Sequence, residues 1–143
     1  MKPERIEISM DIKCLRCRKP GAMKNRVCMF KPEFAPLVVS GEKCQTVRPT
    51  PKRMPSPGDR ISLRMWRGKP YRSEQRVLRD AIVEAVLPVK MNAAAVTVSG
   101  YVLFGDEEWA FARADGFSTP QAMFDWFNVT HGLPFEGVLI KWR

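Results

Sequence analysis

The pattern of apolar and polar positions predicts short strands interrupted by short helices. Apolar and polar residues alternate through Ile61–Trp66, which is the period of a half-buried strand. Gln75–Val89 is also extended in pattern, and its apolar register shifts once, as at a β-bulge. Further strands are predicted at Val27–Phe30, Gln45–Val47, Ala95–Phe104 and Val138–Trp142. The pattern therefore predicts about five or six strands.

Three segments have the signals of short helices. Glu33–Ser40 has apolar residues at the i, i+3, i+4 spacing and stops at Gly41. Asp106–Arg113 opens on acidic residues, which suit the positive end of a helix dipole. Ser118 opens a capping box before a helix with an apolar face of Met123, Phe124, Trp126 and Phe127. The three aromatic residues of this face are predicted to be core. These elements indicate an α+β fold, either a small β-barrel or a strongly curved sheet with helices at its ends.

Length and composition indicate one globular domain. The chain has 143 residues, of which 45% are hydrophobic. Residues 1–22 show neither a strand nor a helix period and are predicted to be a poorly ordered lead-in to a domain over residues 23–143. No apolar run approaches the ~20 residues of a membrane span, and the charged N-terminus lacks the apolar core of a signal peptide. We therefore expect a cytoplasmic protein that does not enter a membrane.

The charge is concentrated in one part of the chain. The 24 Lys and Arg exceed the 15 Asp and Glu, giving a formal net charge of +9. Residues 43–79 hold eleven basic and two acidic residues, whereas residues 80–143 hold four basic and eight acidic ones. Such a basic segment attracts polyanions, of which nucleic acid is the commonest. A solvated face that only confers solubility is the alternative.

The four cysteines do not form a standard metal-binding pattern. Cys14 and Cys17 make one C-x-x-C pair, but Cys28 and Cys44 do not make a second. Free thiols are the default expectation, and a zinc site made of all four thiolates is the alternative. The sequence predicts no cofactor and no metal.

Three motifs in register resemble one family. They are Gly41–Arg48 after a helix, Pro57–Leu63 opening a strand, and Ala114–Ser118 opening a helix. Together with the last strand, Gly137–Trp142, they resemble the ASCH domain of the PUA-like superfamily, from about Phe30 to Trp142. The resemblance implies a small PUA-like mixed β-barrel with a cleft beside the helix that precedes Gly41. It also implies an RNA-related role, with RNA, single-stranded nucleic acid or a modified nucleoside as the partner.

Within that family, the sequence is similar in part to small bacterial acetylcytidine amidohydrolases. These enzymes use a lysine, a threonine three residues later and a carboxylate, and the matching positions here are Lys43, Thr46 and Asp115. The carboxylate is a glutamate in those enzymes, one methylene longer than Asp115. A threonine hydroxyl becomes a nucleophile when a lysine of lowered pKa accepts its proton. Asp115 would orient the ammonium or protonate a leaving amine.

A purely structural interpretation of the same residues stays open. In it, Gly41 caps a helix, Lys43 is a solvated charge and Thr46 is an ordinary strand residue. Asp115 then stabilises a turn by bonding to its own backbone.

Aromatic residues alternate with cations in the basic segment, as in surfaces where bases stack and phosphates are neutralised. For Trp66 a place in the core is the alternative. The residues predicted to bind nucleic acid are Lys43, Arg48, Lys52, Arg53, Arg64, Trp66, Arg67, Lys69, Tyr71 and Arg72.

Three functional hypotheses follow. The first is a module that binds nucleic acid, RNA in particular, or a nucleotide in a basic cleft. The second is a small hydrolase, acting on an acylated nucleoside or as a ribonuclease through Lys43, Thr46 and Asp115. The third is a partner-binding adaptor whose charge serves solubility. Charge favours either of the first two and does not choose between them.

Overall fold

The computed structural model describes residues 23–143, which form seven strands and three α-helices. The strands are β1 Asn25–Met29, β2 Gln45–Arg48, β3 Arg60–Trp66, β4 Gln75–Met91, β5 Val96–Val98, β6 Tyr101–Val102 and β7 Phe135–Trp142. The helices are α1 Ala35–Ser40, entered through a 3-10 turn at Pro32–Phe34, α2 Asp106–Ala114 and α3 Pro120–Thr130. The predicted α+β class is confirmed, with more strands than the pattern predicted.

Strand β4 is the centre of the sheet. Its first half pairs with β3, and its second half pairs with both β5 and β7. Strand β3 pairs in turn with β1, β7 with β2, and β5 with β6. The β1–β3 pair is parallel and the other pairs are antiparallel. The order β1-β3-β4-β7-β2 makes a mixed sheet with edges at β1 and β2, and β5 and β6 branch from the second half of β4.

The sheet does not close into a barrel within the described part of the chain. Strands β1 and β2 are not paired with each other there. The predicted barrel is therefore not confirmed, and the two open edges define a gap. One side chain crosses it, because the Arg48 guanidinium donates to the Met29 backbone oxygen.

Irregularities in β4 explain how one strand of 17 residues serves both halves of the sheet. Its register against β3 shifts between Leu63 and Arg64, and its register against β7 shifts between Val83 and Ala85. The sequence predicted one such shift and the structure has two. Bulges increase local twist and bend a strand, so each half of β4 packs one face on a different part of the core.

The core has two parts. Val38, Leu63 and Val83 belong to the first, between α1 and the β1-β3-β4 side of the sheet. Met123 and Phe127 of α3 belong to the second, which covers β5, β7 and the end of β4. Phe117 and Trp126 pack against both parts, and this seam is where the cavity described below lies.

The aspartate of the Pro57–Leu63 motif has a structural role. Asp59 is fully buried and accepts hydrogen bonds from the backbone N–H groups of Lys24 and Ser56 and from Arg26. Burial alone would raise the pKa of its carboxyl, but these bonds outweigh burial and hold the pKa below its usual value. Asp59 thereby fixes the start of β1 beside the start of β3.

The start of α3 differs by one residue from the sequence prediction. Thr119, and not Ser118, is the N-cap, since its side chain accepts from the Ala122 backbone N–H at 3.0 Å. Pro120 then occupies the first helical position, where a missing N–H costs nothing. No helix within residues 23–143 is long and apolar enough to cross a membrane.

Candidate functional site

A cavity of about 600 Å³ occupies the gap between the edges of β1 and β2. Its lining comes from the end of β1 and the following turn, from β2, from the connection between β3 and β4, from the α2–α3 connection and from the second half of α3. The cavity therefore gathers side chains from distant parts of the sequence. Lys43, Thr46 and Asp115 all line it, as do Arg48, Trp66 and Tyr71.

A buried ion pair is the polar centre of the cavity. Lys43 is 3% exposed and Asp115 is 2% exposed. The Lys43 Nζ donates to the backbone oxygen of Asp115 and lies 3.3 Å from its Oδ1. The interpretations of Lys43 as a solvated charge and of Asp115 as bonding to its own backbone are both wrong.

Glycines allow this pair to form. Gly41 ends α1 at φ 90°, and the chain then turns so that the Lys43 N–H donates to the Leu37 oxygen. Gly116, at φ 99°, lies against the pair, because a Cβ there would be 3.2 Å from the Lys43 Cδ and from a Phe34 ring carbon. The Asp-Gly of the third motif thus provides both the carboxylate and the space for the lysine.

Burial shifts both members of the pair toward their neutral forms. Desolvation raises the pKa of Asp115 to about 6, against the opposing effects of Lys43, Arg48 and a hydrogen bond from the Val47 backbone. Desolvation also lowers the pKa of Lys43, although the Asp115 carboxylate acts in the other direction. The Lys43 amine therefore holds its proton less strongly, and the Asp115 carboxylate accepts one more readily, than the two groups of an exposed ion pair would.

The Thr46 hydroxyl belongs to a different hydrogen bond. It accepts from the Arg48 Nε at 3.1 Å, two residues along β2, and makes no hydrogen bond to Lys43. The same guanidinium lies 5.0 Å from the Phe30 ring centroid and holds the edge of β1. The structure thus brings Lys43 and Asp115 into direct contact, and places Thr46 on the same cavity without a direct bond to either.

Aromatic rings form the walls around the ion pair. Phe34 packs edge-on against Phe117, with centroids 5.5 Å apart, and against Trp126, with centroids 5.6 Å apart. The Lys43 Nζ lies 4.9 Å from the Phe34 ring centroid, within cation–π range. Trp126 was predicted to be core, yet it is only partly buried and lines the cavity. Its Nε1 donates to Glu33 at 3.2 Å.

An aromatic pair with one exposed ring lies at the mouth of the cavity. Trp66 and Tyr71 have ring centroids 5.2 Å apart, and Tyr71 is 89% exposed. Trp66 is partly buried and is not one of the core residues. Two hydrogen bonds join the β3–β4 connection around them, since the Ser73 hydroxyl accepts from the Gly68 N–H and donates to the Lys69 oxygen, both at 2.9 Å.

The predicted nucleic-acid residues divide into three groups. Lys43, Arg48, Trp66 and Tyr71 line the cavity. Exposed cations that do not line it are Lys52 and Arg53 between β2 and β3, and Arg67, Lys69 and Arg72 on the β3–β4 connection.

Arg64 forms the third group. It bonds to Ser62 and Gln75, both at 2.8 Å, and lines a separate groove. It does not share the cavity with Lys43.

Two residues at the cavity were missed by sequence reasoning. Lys31 and His131 both line it, although neither lies in the recognised motifs. His131 is exposed, but partial desolvation by its neighbours lowers the pKa of its imidazole, and the nearby charges of Lys31 and Arg48 lower it further. The one available signal was that His131 is the only histidine in the chain, placed just after an aromatic helix.

The four-cysteine zinc hypothesis falls partly outside the described residues, which exclude Cys14 and Cys17. Cys28 and Cys44 are free thiols. Burial raises the pKa of Cys28, so its thiol stays protonated. In the part of the chain that the structure describes, no three His, Cys, Asp or Glu residues are grouped as metal ligands.

Comparison with solved structures identifies the fold. The crystal structure of ASCH from Zymomonas mobilis matches with 23% sequence identity and a TM-score of 0.50, over 84% of this chain and 67% of that chain. A variant of that protein with one tyrosine replaced by phenylalanine matches with 22% identity and a TM-score of 0.50, over 84% and 69%. No family model and no curated protein matches the sequence. The likeness shows that this chain has the ASCH fold, as its motifs predicted.

Proposed function

We propose that this chain, which has the ASCH fold, binds RNA or a free nucleotide by taking one nucleotide into the cavity between β1 and β2. The observation that supports this most strongly is the combination of aromatic walls with a buried Lys43–Asp115 pair in a cavity of about 600 Å³. Small-molecule sites have this size and character, being mostly apolar with a few fixed polar groups. A nucleobase is a planar ring with a polar edge and matches both features.

The polar groups of the cavity can form hydrogen bonds with the edge of a base. The Asp115 carboxyl accepts hydrogen bonds when ionised and also donates one when protonated. Its pKa of about 6 makes both forms accessible near neutral pH. Thr46 adds a hydroxyl to the same cavity. Trp126, which is only partly buried, supplies an aromatic surface for stacking.

The residues around the mouth of the cavity suit single-stranded nucleic acid. Trp66 and Tyr71 offer an exposed stacking surface for a neighbouring base, and aromatic stacking of this kind does not depend strongly on sequence. Arg67, Lys69 and Arg72 follow the same connection and are exposed to solvent. Their charges would neutralise backbone phosphates on either side of the inserted nucleotide.

The cytoplasmic location predicted from the sequence stays a prediction.

Titration of a short, fluorescently labelled single-stranded RNA tests this function. Replacing Tyr71 by Ala should weaken binding about tenfold, since a base stacked on an aromatic side chain contributes about 1–3 kcal/mol. Phe104→Ala is the matched control, because Phe104 is 69% exposed but does not line the cavity. Equal affinity of wild type, Tyr71→Ala and Trp66→Ala would overturn the proposal. A DNA strand of the same sequence measures the preference for RNA.

Hydrolysis is a second candidate because the Lys43–Asp115 pair and Thr46 share one cavity and burial shifts the pKa values of both charged groups. In this reaction, the Thr46 Oγ1 bonds to the acyl carbon of an acylated nucleoside and its proton passes to neutral Lys43. Protonated Asp115 gives its proton to the amine as the C–N bond breaks. Water then cleaves the acyl-threonine ester and releases the acid. A ribonuclease using the same residues is the other form of this candidate.

The two candidates are separated by following product. Wild-type protein is incubated with N4-acetylcytidine and, separately, with single-stranded RNA, and cytidine or shortened RNA is measured. An enzyme would lose at least about 10²-fold in rate in Thr46→Val, because the nucleophile is gone. Thr46→Ser, which keeps a hydroxyl, is the control. RNA binding by wild type without conversion of either substrate supports the binding function and rejects the hydrolase.

A further inference from the structure

We infer that Lys31, Arg48 and His131 form a phosphate subsite at the cavity mouth, so that the preferred ligand is a phosphorylated nucleotide and not a nucleoside. This inference rests on the proposed function and specifies the ligand class of the same cavity. It uses two residues, Lys31 and His131, that have no other assigned role.

Aromatic rings position the three side chains on the cavity. The Lys31 Nζ lies 5.2 Å from the centroid of the Trp126 ring, and the His131 ring lies 5.8 Å from the same indole. Arg48 is held over Phe30 at 5.0 Å. All three line one cavity, and the charges of Lys31 and Arg48 both act on His131.

Arg48 has donors to spare for a ligand. A guanidinium carries five N–H donors, of which one is given to Thr46 and one to the Met29 oxygen. Those two bonds fix the orientation of the plane. The donors that remain suit a phosphate, since the guanidinium fork matches two oxygens of one anion.

The charges at the cavity are unbalanced in favour of an anion. The titratable or charged lining residues are Lys31, Lys43, Arg48, His131, Asp115 and Tyr71. The one carboxylate among them, Asp115, is paired with Lys43. Glu33 is the acidic residue that contacts Trp126, where it accepts from the indole N–H, and it does not line the cavity. Among residues 23–143, neither Lys31 nor Arg48 forms a salt bridge on the cavity wall, although the charge of Arg48 also acts on Asp115.

The protonation of His131 should change when a phosphate binds to the subsite. Partial desolvation and the two cations lower its pKa, so the imidazole is neutral near pH 7 before a ligand binds. A bound phosphate dianion would offset the repulsion from Lys31 and Arg48 and favour the imidazolium. Nucleotide binding should therefore take up protons from solution.

Calorimetric titration with the four common ribonucleosides, their 5′-monophosphates and inorganic phosphate tests the subsite. At least one monophosphate should bind about tenfold tighter than its own nucleoside, the effect of a charged hydrogen bond or two. Lys31→Gln and His131→Gln should each reduce this ratio several-fold. Lys90→Gln is the matched control, since Lys90 is exposed and does not line the cavity.

Proton uptake gives an independent measurement. The same titration in buffers of different ionisation heat should show proton uptake with wild type near neutral pH and less with His131→Gln. Because both proteins meet the same free phosphate, the difference between them isolates the proton uptake that depends on His131. Equal uptake by the two proteins would remove His131 from the subsite.

The outcomes distinguish failure of the phosphate subsite from failure of the proposed function. Nucleosides that bind as tightly as their monophosphates, or a ratio unchanged in both variants, would reject the subsite and leave the proposed function standing. Absence of binding by every nucleoside, nucleotide and RNA would reject the proposed function itself. Inorganic phosphate binding as tightly as the best monophosphate would show that the mouth binds an anion without a nucleotide, and would overturn the inference.

Discussion

A single buried ion pair determines most of the chemistry at the scale of residues. Lys43 and Asp115 are 72 positions apart in sequence and meet with little exposure to water. Removing two charges from water costs several kcal/mol per ion, which their attraction only partly offsets. Such a pair is a poor source of stability. Its presence is better explained by a function that needs a charge or a labile proton inside an aromatic cavity.

The raised pKa of Asp115, about 6 against an ordinary value of 3.8, predicts a pH dependence of stability. Between these two pH values the folded chain holds a proton that the unfolded chain has released, so this residue's contribution to stability rises as pH falls. The free energy of unfolding of wild type relative to Asp115→Asn should therefore increase by on the order of 2 kcal/mol from pH 7 to pH 4. Urea unfolding of both proteins measures this difference.

Asp59 provides a control of opposite sign. The pKa of its carboxyl is held below 3.8, so its stabilising contribution is present above that pH and is lost as pH falls through the folded-state value. The advantage of wild type over Asp59→Asn should shrink at low pH, while its advantage over Asp115→Asn grows. The same sign for both carboxylates would contradict the assignment of Asp115 as a carboxyl raised by burial.

At the scale of elements, helix α3 carries Trp126 and leads into His131, so its start affects the site. Thr119→Ala removes the side-chain oxygen that accepts from the Ala122 N–H and should destabilise the protein by about 1 kcal/mol. Ser118→Ala should change stability by less than about 0.5 kcal/mol, because Ser118 is not the cap. Thermal unfolding of the two variants compares these positions. A larger loss at Ser118 would place the cap one residue earlier, where the sequence pattern predicts it.

The pairing of β2 with β7 positions Thr46 and Arg48. Gly137 of β7 lies so close to β2 that a Cβ there would be 2.1 Å from the Arg48 backbone oxygen and 2.8 Å from the Phe135 ring. Gly137→Ala should therefore displace β2 and destabilise the fold by at least about 2 kcal/mol, as overpacking does. It should also weaken nucleotide binding in molecules that remain folded.

Denaturant unfolding and a binding titration on Gly137→Ala measure both effects. Gly100→Ala is the control for added bulk at a glycine with open space around it, and it tests strain from its φ of 82° alone. Unchanged stability in Gly137→Ala would mean that β2 and β7 are further apart than the structure places them.

At the scale of the whole molecule, the basic segment predicts binding that depends on salt. If three or four phosphates are neutralised, the logarithm of the RNA association constant should fall with the logarithm of salt concentration at a slope of about −2 to −3. Replacing Arg67, Lys69 and Arg72 by Gln should make the slope shallower by about 2. Fluorescence anisotropy at several salt concentrations measures it. Affinity independent of salt would exclude phosphate contacts by these cations.

A matched pair of cations serves as the control for that measurement. Lys90→Gln combined with Arg113→Gln removes two positive charges that do not line the cavity. This variant should keep the wild-type slope, because counterion release depends on contacts and not on net charge alone. A change as large as that of the triple variant would assign the salt dependence to the overall charge of the molecule.

Much of the fold could be predicted from local pattern. The strand at Arg60–Trp66 follows from alternation, and helix α2 from its acidic start, because both signals depend on near neighbours. The open sheet could not be predicted, since closure depends on whether β1 meets β2 and no local signal encodes that. The start of α3 was missed by one residue because Ser118 and Thr119 are both good caps.

The site was predictable only where a motif marked it. Lys43, Thr46 and Asp115 stand in motifs with recognisable spacing. Lys31 and His131 do not, and Trp126 has the spacing of an ordinary buried helix face. Their presence at the cavity depends on how α3 packs against the turn after β1, which involves contacts between residues almost a hundred positions apart.

The sequence by itself determined the α+β class, the basic segment and the residue types that the site needs, because these depend on composition and on short-range spacing. Only the tertiary structure decided that Lys43 is buried against Asp115 and that Thr46 is bonded to Arg48. It also decided that Arg64 lies away from the cavity and that Lys31 and His131 lie on it. Burial and contact between distant segments are properties of packing, and packing sets both the pKa of a carboxyl and the neighbours of a cation.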